Sequence, residues 1–378
     1  MIGMQVQKRW STDQLITGIE AQDWVKLLQK NNWRVDPTYL HRLAMVAGLS
    51  VPTTVLGRIE DMRFGRQLAN QEIDPTPLFV IGHWRSGTTH LHNLLGRLPG
   101  NTYPTVLQVL FPTCFLTADQ FLPQLAGGML DGTRTYDNVK QGWHEAAEDE
   151  IALAKLTGLS PYIAFMFPEQ SARYEKYIDL LECRNDERDK WKEAFRYFLK
   201  KIMLQTKGSR VVVKSCTHTA RIRILLEMFP DAKFVHIHRH PYEVFASTLH
   251  MRSHTDWENF FHLPDVDPEL VRKQQTLALG QRLYDRVVED KRLVPEENWI
   301  ELSYQDLCGN EVAVIERIYS QFGYSGWDRA KPELEKYTDS VKGYKRNELK
   351  LDQRSRDDVY EWWRSAFDAF GYDCEYSF

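Results

Sequence analysis

A chain of 378 residues, 43% of them hydrophobic, is long enough to bury a substantial core in one large domain. Its formal net charge of −4 excludes a protein whose main task is to coat nucleic acid and leaves room only for a small, local basic site. The five cysteines (Cys114, Cys183, Cys216, Cys308 and Cys374) are scattered and form no CxxC pair, which speaks against a disulfide framework or a structural zinc site and for a reducing compartment.

The N-terminal stretch "MIGMQVQKRWSTDQ" has no apolar core of a signal peptide, and Ile2 stands where myristoylation requires a glycine. No run approaches the roughly 18 apolar residues of a membrane span. A soluble, cytoplasmic chain without a transmembrane segment is expected, with peripheral membrane contact left open. Three helical patterns follow: "STDQLITGIEAQDWVKLLQK", capped by Ser11 or Thr12, then "DPTYLHRLAMVAGL" behind Asp36 and Pro37, then "TTVLGRIEDMRFGRQLA". Residues 1–74 read as an N-terminal helical extension packed on the rest, with a lid or acceptor-binding element as the rival reading.

The run "LFVIG" leads into "HWRSGTTH", so that Gly82 and Gly87 frame a G-x-x-x-x-G loop between a strand and a helix. Such a loop presents backbone N–H groups and a helix N-terminus to an anion. A bare glycine frame can be a purely structural turn. Here Arg85, Ser86, Thr88 and Thr89 add donors to it, which points to anion binding. Thr88 occupies the position where a nucleotide triphosphatase has its lysine, and the cation has moved to Arg85.

From Asn101 to about Pro168 the chain is irregular and rich in aromatics, and reads as an insertion walling an acceptor pocket. Within it, "WHEAAEDEIAL" gathers His144, Glu145, Glu148, Asp149 and Glu150 at the mouth of a helix. Acidic residues are favoured in a first helical turn by the dipole alone. A general base, should the chemistry need one, also requires a carboxylate or imidazole, and Glu148, then Glu150, then His144 are the candidates.

Three further β-branched or aromatic runs, "RVVVKS", "KFVHIH" and "WIELSY", alternate with long helical stretches. This alternation predicts a parallel sheet covered by helices on both faces, with ligands at the carboxyl ends of its strands, where Gly82, Lys214 and Arg239 fall. Lys214 either touches a bound anion or pairs with an acid. In "HIHRHPYEVFAST", Arg239 sits on the turn and Ser247 lies eight residues on, inside the helix begun by Pro241. That spacing aims a guanidinium and a hydroxyl at one target, unless Arg239 is engaged by a nearby carboxylate. His236 and His238 read as packed or hydrogen-bonded strand residues, not as a metal site, and no metal is expected.

The segments "PLFVIGHWRSGTTHLHNLL", "VVVKSCTH", "FPDAKFVHIHRHPYEVFAST" and "ELSYQDL" resemble the sulfotransferases that use 3′-phosphoadenosine-5′-phosphosulfate, in particular a bacterial branch whose loop reads G-H-W-R-S-G-T-T. The likeness runs from about Pro75 to the C-terminus. It implies a single domain over 75–378, an α/β fold with a P-loop-like parallel sheet flanked by helices on both faces, and sulfuryl transfer to a hydroxyl or amine without a metal. It further implies that Arg85, Ser86, Gly87, Thr88 and Thr89 hold the 5′-phosphosulfate, that Arg239 and Ser247 hold the 3′-phosphate, and that Tyr304 lies near the adenine. The triphosphatase lysine serves a β,γ-phosphate and its Mg²⁺, whereas a sulfuryl donor needs a cation at the bridging oxygen, a task that fits Arg85. Lys342, Lys345 and Arg346 in "SVKGYKRN" are a loose counterpart of a further donor-binding segment. Cys216 and His240 replace a proline and an aspartate common in the family. The acceptor reads as a small molecule, glycan or lipid head group, with no nucleic-acid partner. Two rival readings are a kinase or NTPase with a degenerate loop, and a nucleotide-binding protein without catalysis. Oligomeric state and acceptor identity are not written in these motifs.

Overall fold

The structure is a computed structural model, and it describes residues 15–125, 132–133, 140–208, 210–341 and 349–376. The chain forms two compact units whose segments alternate along the sequence. One comprises Met1–Ile73, Pro104–Gln205 and His250–Gln275, and the other Asp74–Tyr103, Thr206–Leu249 and Thr276–Phe378.

The strands are β1 (Leu78–Ile81), β2 (Asn101–Thr102), β3 (Gly132–Thr133), β4 (Lys140–Gln141), β5 (Arg210–Lys214), β6 (Lys233–His238) and β7 (Trp299–Ser303). In the second unit, five of them form a parallel sheet in the order β2-β5-β1-β6-β7. This is the α/β parallel sheet that the alternating apolar runs predict, in the P-loop-like form that the resemblance implies. The four longer strands fall where those runs stand. β2 is too short for a periodicity to show, and it adds an edge beside β5.

β1 is buried along its whole length, as a central parallel strand must be when both faces are covered. On one face Val80, Val212, Val235, Ile237, Ile300 and Leu302 pack against Leu91, Leu94 and Leu95 of the helix Thr88–Gly96 and Ile315 and Ile318 of the helix Glu311–Gln321. On the other, Phe79 stacks on Phe234 at 5.4 Å and Phe370 lies 5.3 Å from His236. Pairing of His236 with Glu301 in the β6–β7 register puts the two side chains on one face. His236 hydrogen-bonds Glu301 through Nδ1 at 3.2 Å, and His238 contacts the Tyr372 hydroxyl at 2.7 Å. Burial would raise the Glu301 carboxyl, but the His236 bond and charge and the nearby Lys291 outweigh it and bring it down to about 2. No metal-holding cluster occurs among the described residues.

Among its described residues the first unit is mainly helical, with β3 and β4 paired antiparallel. The first predicted helix begins only at Ala21 and ends at Lys30, and its expected caps Ser11 and Thr12 lie outside the described residues. The second and third predicted helices are one, Leu40–Asn70, which runs through Pro52. A proline inside a helix removes one bond to the carbonyl four residues back. Here that carbonyl belongs to Gly48, and both residues lie on the exposed side of the helix, so continuation buries no orphaned group. Among the described residues, no helix is long and apolar enough to cross a membrane.

Candidate functional site

Four strand ends of the second unit converge at one edge of the sheet: Gly82 follows β1, Lys214 ends β5, Arg239 follows β6 and Tyr304 follows β7. Parallel strands place their carboxyl ends together, so the topology alone groups residues up to 222 positions apart in the chain.

The loop between β1 and the helix Thr88–Gly96 is held in a shape that its glycines permit. Gly82 has φ +152°, and a Cβ there would meet the Ile237 carbonyl oxygen at 2.3 Å. Gly87, the N-cap, has φ +104°, and a Cβ there would meet the Tyr304 ring at 2.5 Å. Arg85 adopts φ +68°, a left-handed conformation that costs a side-chain-bearing residue about 1–2 kcal/mol and must be over-determined by its surroundings. The restraints are visible. Thr219 receives a hydrogen bond from the Gly82 N–H at 2.8 Å and donates its hydroxyl to the Gly82 carbonyl at 3.1 Å. The Ser86 hydroxyl donates to the His83 carbonyl at 2.8 Å. His83 donates from Nδ1 to the Trp84 carbonyl at 2.8 Å and stacks on Tyr284, and burial lowers its imidazole to about 4, so it is neutral at pH 7.

The cations meet over this loop. Arg85 donates from Nε to the Ser247 hydroxyl at 3.0 Å, while Arg239 reaches the Arg85 carbonyl at 3.5 Å and lies 4.7 Å from the centre of the Tyr304 ring. Arg239 also pairs with Glu243, four residues on in the helix Pro241–Asn259, and Glu243 accepts the Tyr376 hydroxyl at 2.8 Å. The carboxylate partner that the sequence offered as the rival reading for Arg239 is thus present. Lys214 is nearly fully buried and donates to the Thr89 hydroxyl at 3.3 Å. The Thr88 hydroxyl faces the Cys216 sulfur at 3.9 Å.

The second unit therefore gathers Arg85, Ser86, Gly87, Thr88, Thr89, Lys214, Arg239, Ser247 and Tyr304 around one edge of the sheet. Lys342, Lys345 and Arg346 lie outside the described residues. Sequence reasoning missed Thr219, Glu243 and Tyr376. Only Glu243 carried a signal, its i,i+4 spacing from Arg239 across a proline-started helix.

The three base candidates belong to the first unit. Glu150 opens the helix Glu150–Thr157, is fully buried, and accepts the Ser160 hydroxyl at 2.6 Å. Glu148 precedes the helix, is half-buried, and accepts the Tyr162 hydroxyl. The His144 side chain is 67% exposed, 3.7 Å from Asp119. The three candidates, ranked from sequence as Glu148, Glu150 and His144, thus stand in three different environments.

Residues 77–329 match the model of a sulfotransferase family. The chain is 31% identical over 366 residues to the omega-hydroxy-beta-dihydromenaquinone-9 sulfotransferase Stf3 of Mycobacterium bovis, covering 97% of this chain and 93% of that one. In fold it is similar to the crystal structure of sulfotransferase STF9 from Mycobacterium avium, with a TM-score of 0.68 at 16% identity over 98% of this chain and 96% of that one. It is also similar to sulfotransferase STF1 from Mycobacterium tuberculosis H37Rv, with a TM-score of 0.64 at 18% identity over 91% of both chains. A strand-end glycine loop on a parallel sheet, a family match over most of the sheet-bearing sequence and a relative aligned almost end to end agree: this chain belongs to the sulfotransferase family.

Proposed function

We propose that this enzyme moves the sulfuryl group of 3′-phosphoadenosine-5′-phosphosulfate to the hydroxyl of an apolar small molecule, without a metal. The donor site is the strand-end cluster. Backbone N–H groups of the loop and the hydroxyls of Ser86, Thr88 and Thr89 bind the 5′-phosphosulfate, with Lys214 fixing Thr89. Arg239 and Ser247 bind the 3′-phosphate, Tyr304 packs beside the adenine, and Lys342, Lys345 and Arg346 are assigned to the donor as well. The Tyr304 ring packs directly on Gly87, where a Cβ would meet it at 2.5 Å, and this close packing fixes the ring beside the loop.

In the transfer, an acceptor oxygen forms a bond to sulfur as the bond from sulfur to the bridging oxygen breaks, and the electron pair leaves with the bisphosphate. Arg85 neutralises the charge that develops on that oxygen. The acceptor proton passes to Glu148, which the partial exposure of its carboxylate favours over the enclosed Glu150. The acceptor class is taken from the relative whose name specifies a hydroxyl-bearing menaquinone. The segment 101–168 supplies acceptor walls in this reading.

The observation that carries the proposal is the meeting of Arg85, Ser247 and Arg239 over one glycine loop. Calorimetry with adenosine 3′,5′-bisphosphate in EDTA, beside ATP with Mg²⁺, tests it. Micromolar, metal-independent binding of the bisphosphate that Arg239→Ala abolishes is expected. Preference for ATP with Mg²⁺ would overturn it.

A further inference from the structure

The helix Leu40–Asn70 is built inside out. Its buried face carries Arg42, Ser50, Thr53, Gly57 and Glu60 with few apolar residues, whereas its exposed face carries Leu40, Val51, Val55, Ile59 and Met62. Helices on the surface of a water-soluble protein show the opposite arrangement.

Polar side chains on the inner face are satisfied one by one. Arg42 donates to the carbonyls of Phe260 at 2.7 Å and Trp257 at 2.8 Å. Glu60 pairs with Lys201, both fully buried, and accepts the Thr117 N–H at 2.8 Å. Ser50 and Thr53 donate to the carbonyls of Ala47 and Leu49 within their own helix. The inner face thus has its polar groups satisfied within the protein, and an apolar stripe is left facing outward.

On that outward side, Leu40, Ala44, Gly48, Val51, Val55, Ile59 and Met62 follow one another at spacings of three or four and form one stripe about 33 Å long. Val51 is 58% exposed, Val55 52% and Met62 80%. From Leu43 to Gly57 there is no charged residue. Charge returns at the C-terminal end of the stripe, where Arg58, Arg63 and Arg66 are exposed with Asp61 as the one exposed acid of the helix, opposite in sign to the chain's net charge of −4.

We infer that this face lies in the surface of a lipid bilayer bearing anionic head groups. A continuous aliphatic stripe flanked by arginines matches a bilayer surface, which takes apolar side chains below the head groups and cations among them. A protein partner would instead favour aromatic anchors and placed hydrogen-bonding groups at the centre of the patch, and this stripe has neither. The inference stands on this helix alone and is independent of the donor and acceptor assigned above.

Flotation of the full chain with vesicles of phosphatidylcholine, or of phosphatidylcholine mixed with phosphatidylglycerol, tests it. The chain is expected to float with the mixed vesicles and several-fold less with phosphatidylcholine alone. Val55→Glu/Met62→Glu should weaken partition at least tenfold while leaving bisphosphate binding and the melting temperature unchanged. Arg63→Glu/Arg66→Glu should weaken it about tenfold on mixed vesicles only. Failure of the unsubstituted chain to float, or flotation of both variants equal to that of the unsubstituted chain, would overturn the inference. A dimer that Val55→Glu/Met62→Glu converts to monomer, without vesicle binding, would overturn it too and would assign the face to a second copy.

Discussion

Arg85 and Ser247 are 162 positions apart, yet the Arg85 Nε–H rests on the Ser247 hydroxyl at 3.0 Å. The contact joins the loop after β1 to the helix after β6, so the two stretches to which donor binding is assigned form one cluster. Replacing Arg85 by lysine keeps the charge and loses both the fork and this bond. Its sulfuryl-transfer kcat should fall roughly 10²-fold, as for loss of an electrostatic donor to a leaving group. Ser247→Ala should weaken bisphosphate binding about tenfold in calorimetry, the size of one hydrogen bond to a charged group.

The glycines of the loop are steric requirements. Gly82→Ala would drive a methyl group into the Ile237 carbonyl and hold alanine at φ +152°, and Gly87→Ala would press on Tyr304. Each should cost about 2–4 kcal/mol of stability. For Gly87→Ala, trimming the ring with Tyr304→Ala should recover part of the loss in a thermal melt, whereas no side-chain change relieves Gly82→Ala.

Acid should destabilise the fold through its enclosed histidines. Burial holds His83 and His238 at about 4, below the ordinary value of 6.5, and lowers His240 as well. Between those values the unfolded chain binds more protons than the folded one, so stability is full above pH 6.5 and declines as pH falls toward 4. For the fully enclosed His83 the effect is about 3 kcal/mol. His83→Asn, which can still donate to the Trp84 carbonyl, should flatten the dependence of the melting temperature on pH between 6.5 and 4.5.

The buried Glu60–Lys201 pair of the first unit should behave as a unit. Burial pushes the Glu60 carboxyl up and the Lys201 ammonium down, and each charge pulls the other back. Lys201→Met strands a carboxylate and should cost about 3–5 kcal/mol in chemical denaturation. Adding Glu60→Leu should return part of this, because no charge then remains enclosed.

Assignment of the base can be read from kinetics. Glu148→Gln should lower kcat roughly 10²–10⁴-fold with unchanged bisphosphate affinity. Glu150→Gln retains an acceptor for Ser160 and should change kcat little, and His144→Ala less still. A large kcat loss in Glu150→Gln with a normal melting temperature would reverse the assignment.

Local patterns in the chain determined a great deal. Four β-branched or aromatic runs separated by helical stretches were enough for the parallel sheet, with the central β1 continuously apolar because it is covered on both faces. The G-x-x-x-x-G frame and the moved cation at Arg85 were equally legible, since loop and turn chemistry depend on residues a few positions apart. The tertiary structure decided what depends on distant partners. Thr219 clamps Gly82 from both sides and Tyr376 holds Glu243 on Arg239, contacts that no local spacing encodes. Helix Leu40–Asn70 continues through Pro52, where local propensity predicts a break, because Arg42 and Glu60 on one face are anchored to distant segments. The same anchoring turns its polar residues inward and its apolar stripe outward. Periodicity tells that a helix has two faces, and only the packing shows which of them meets the protein.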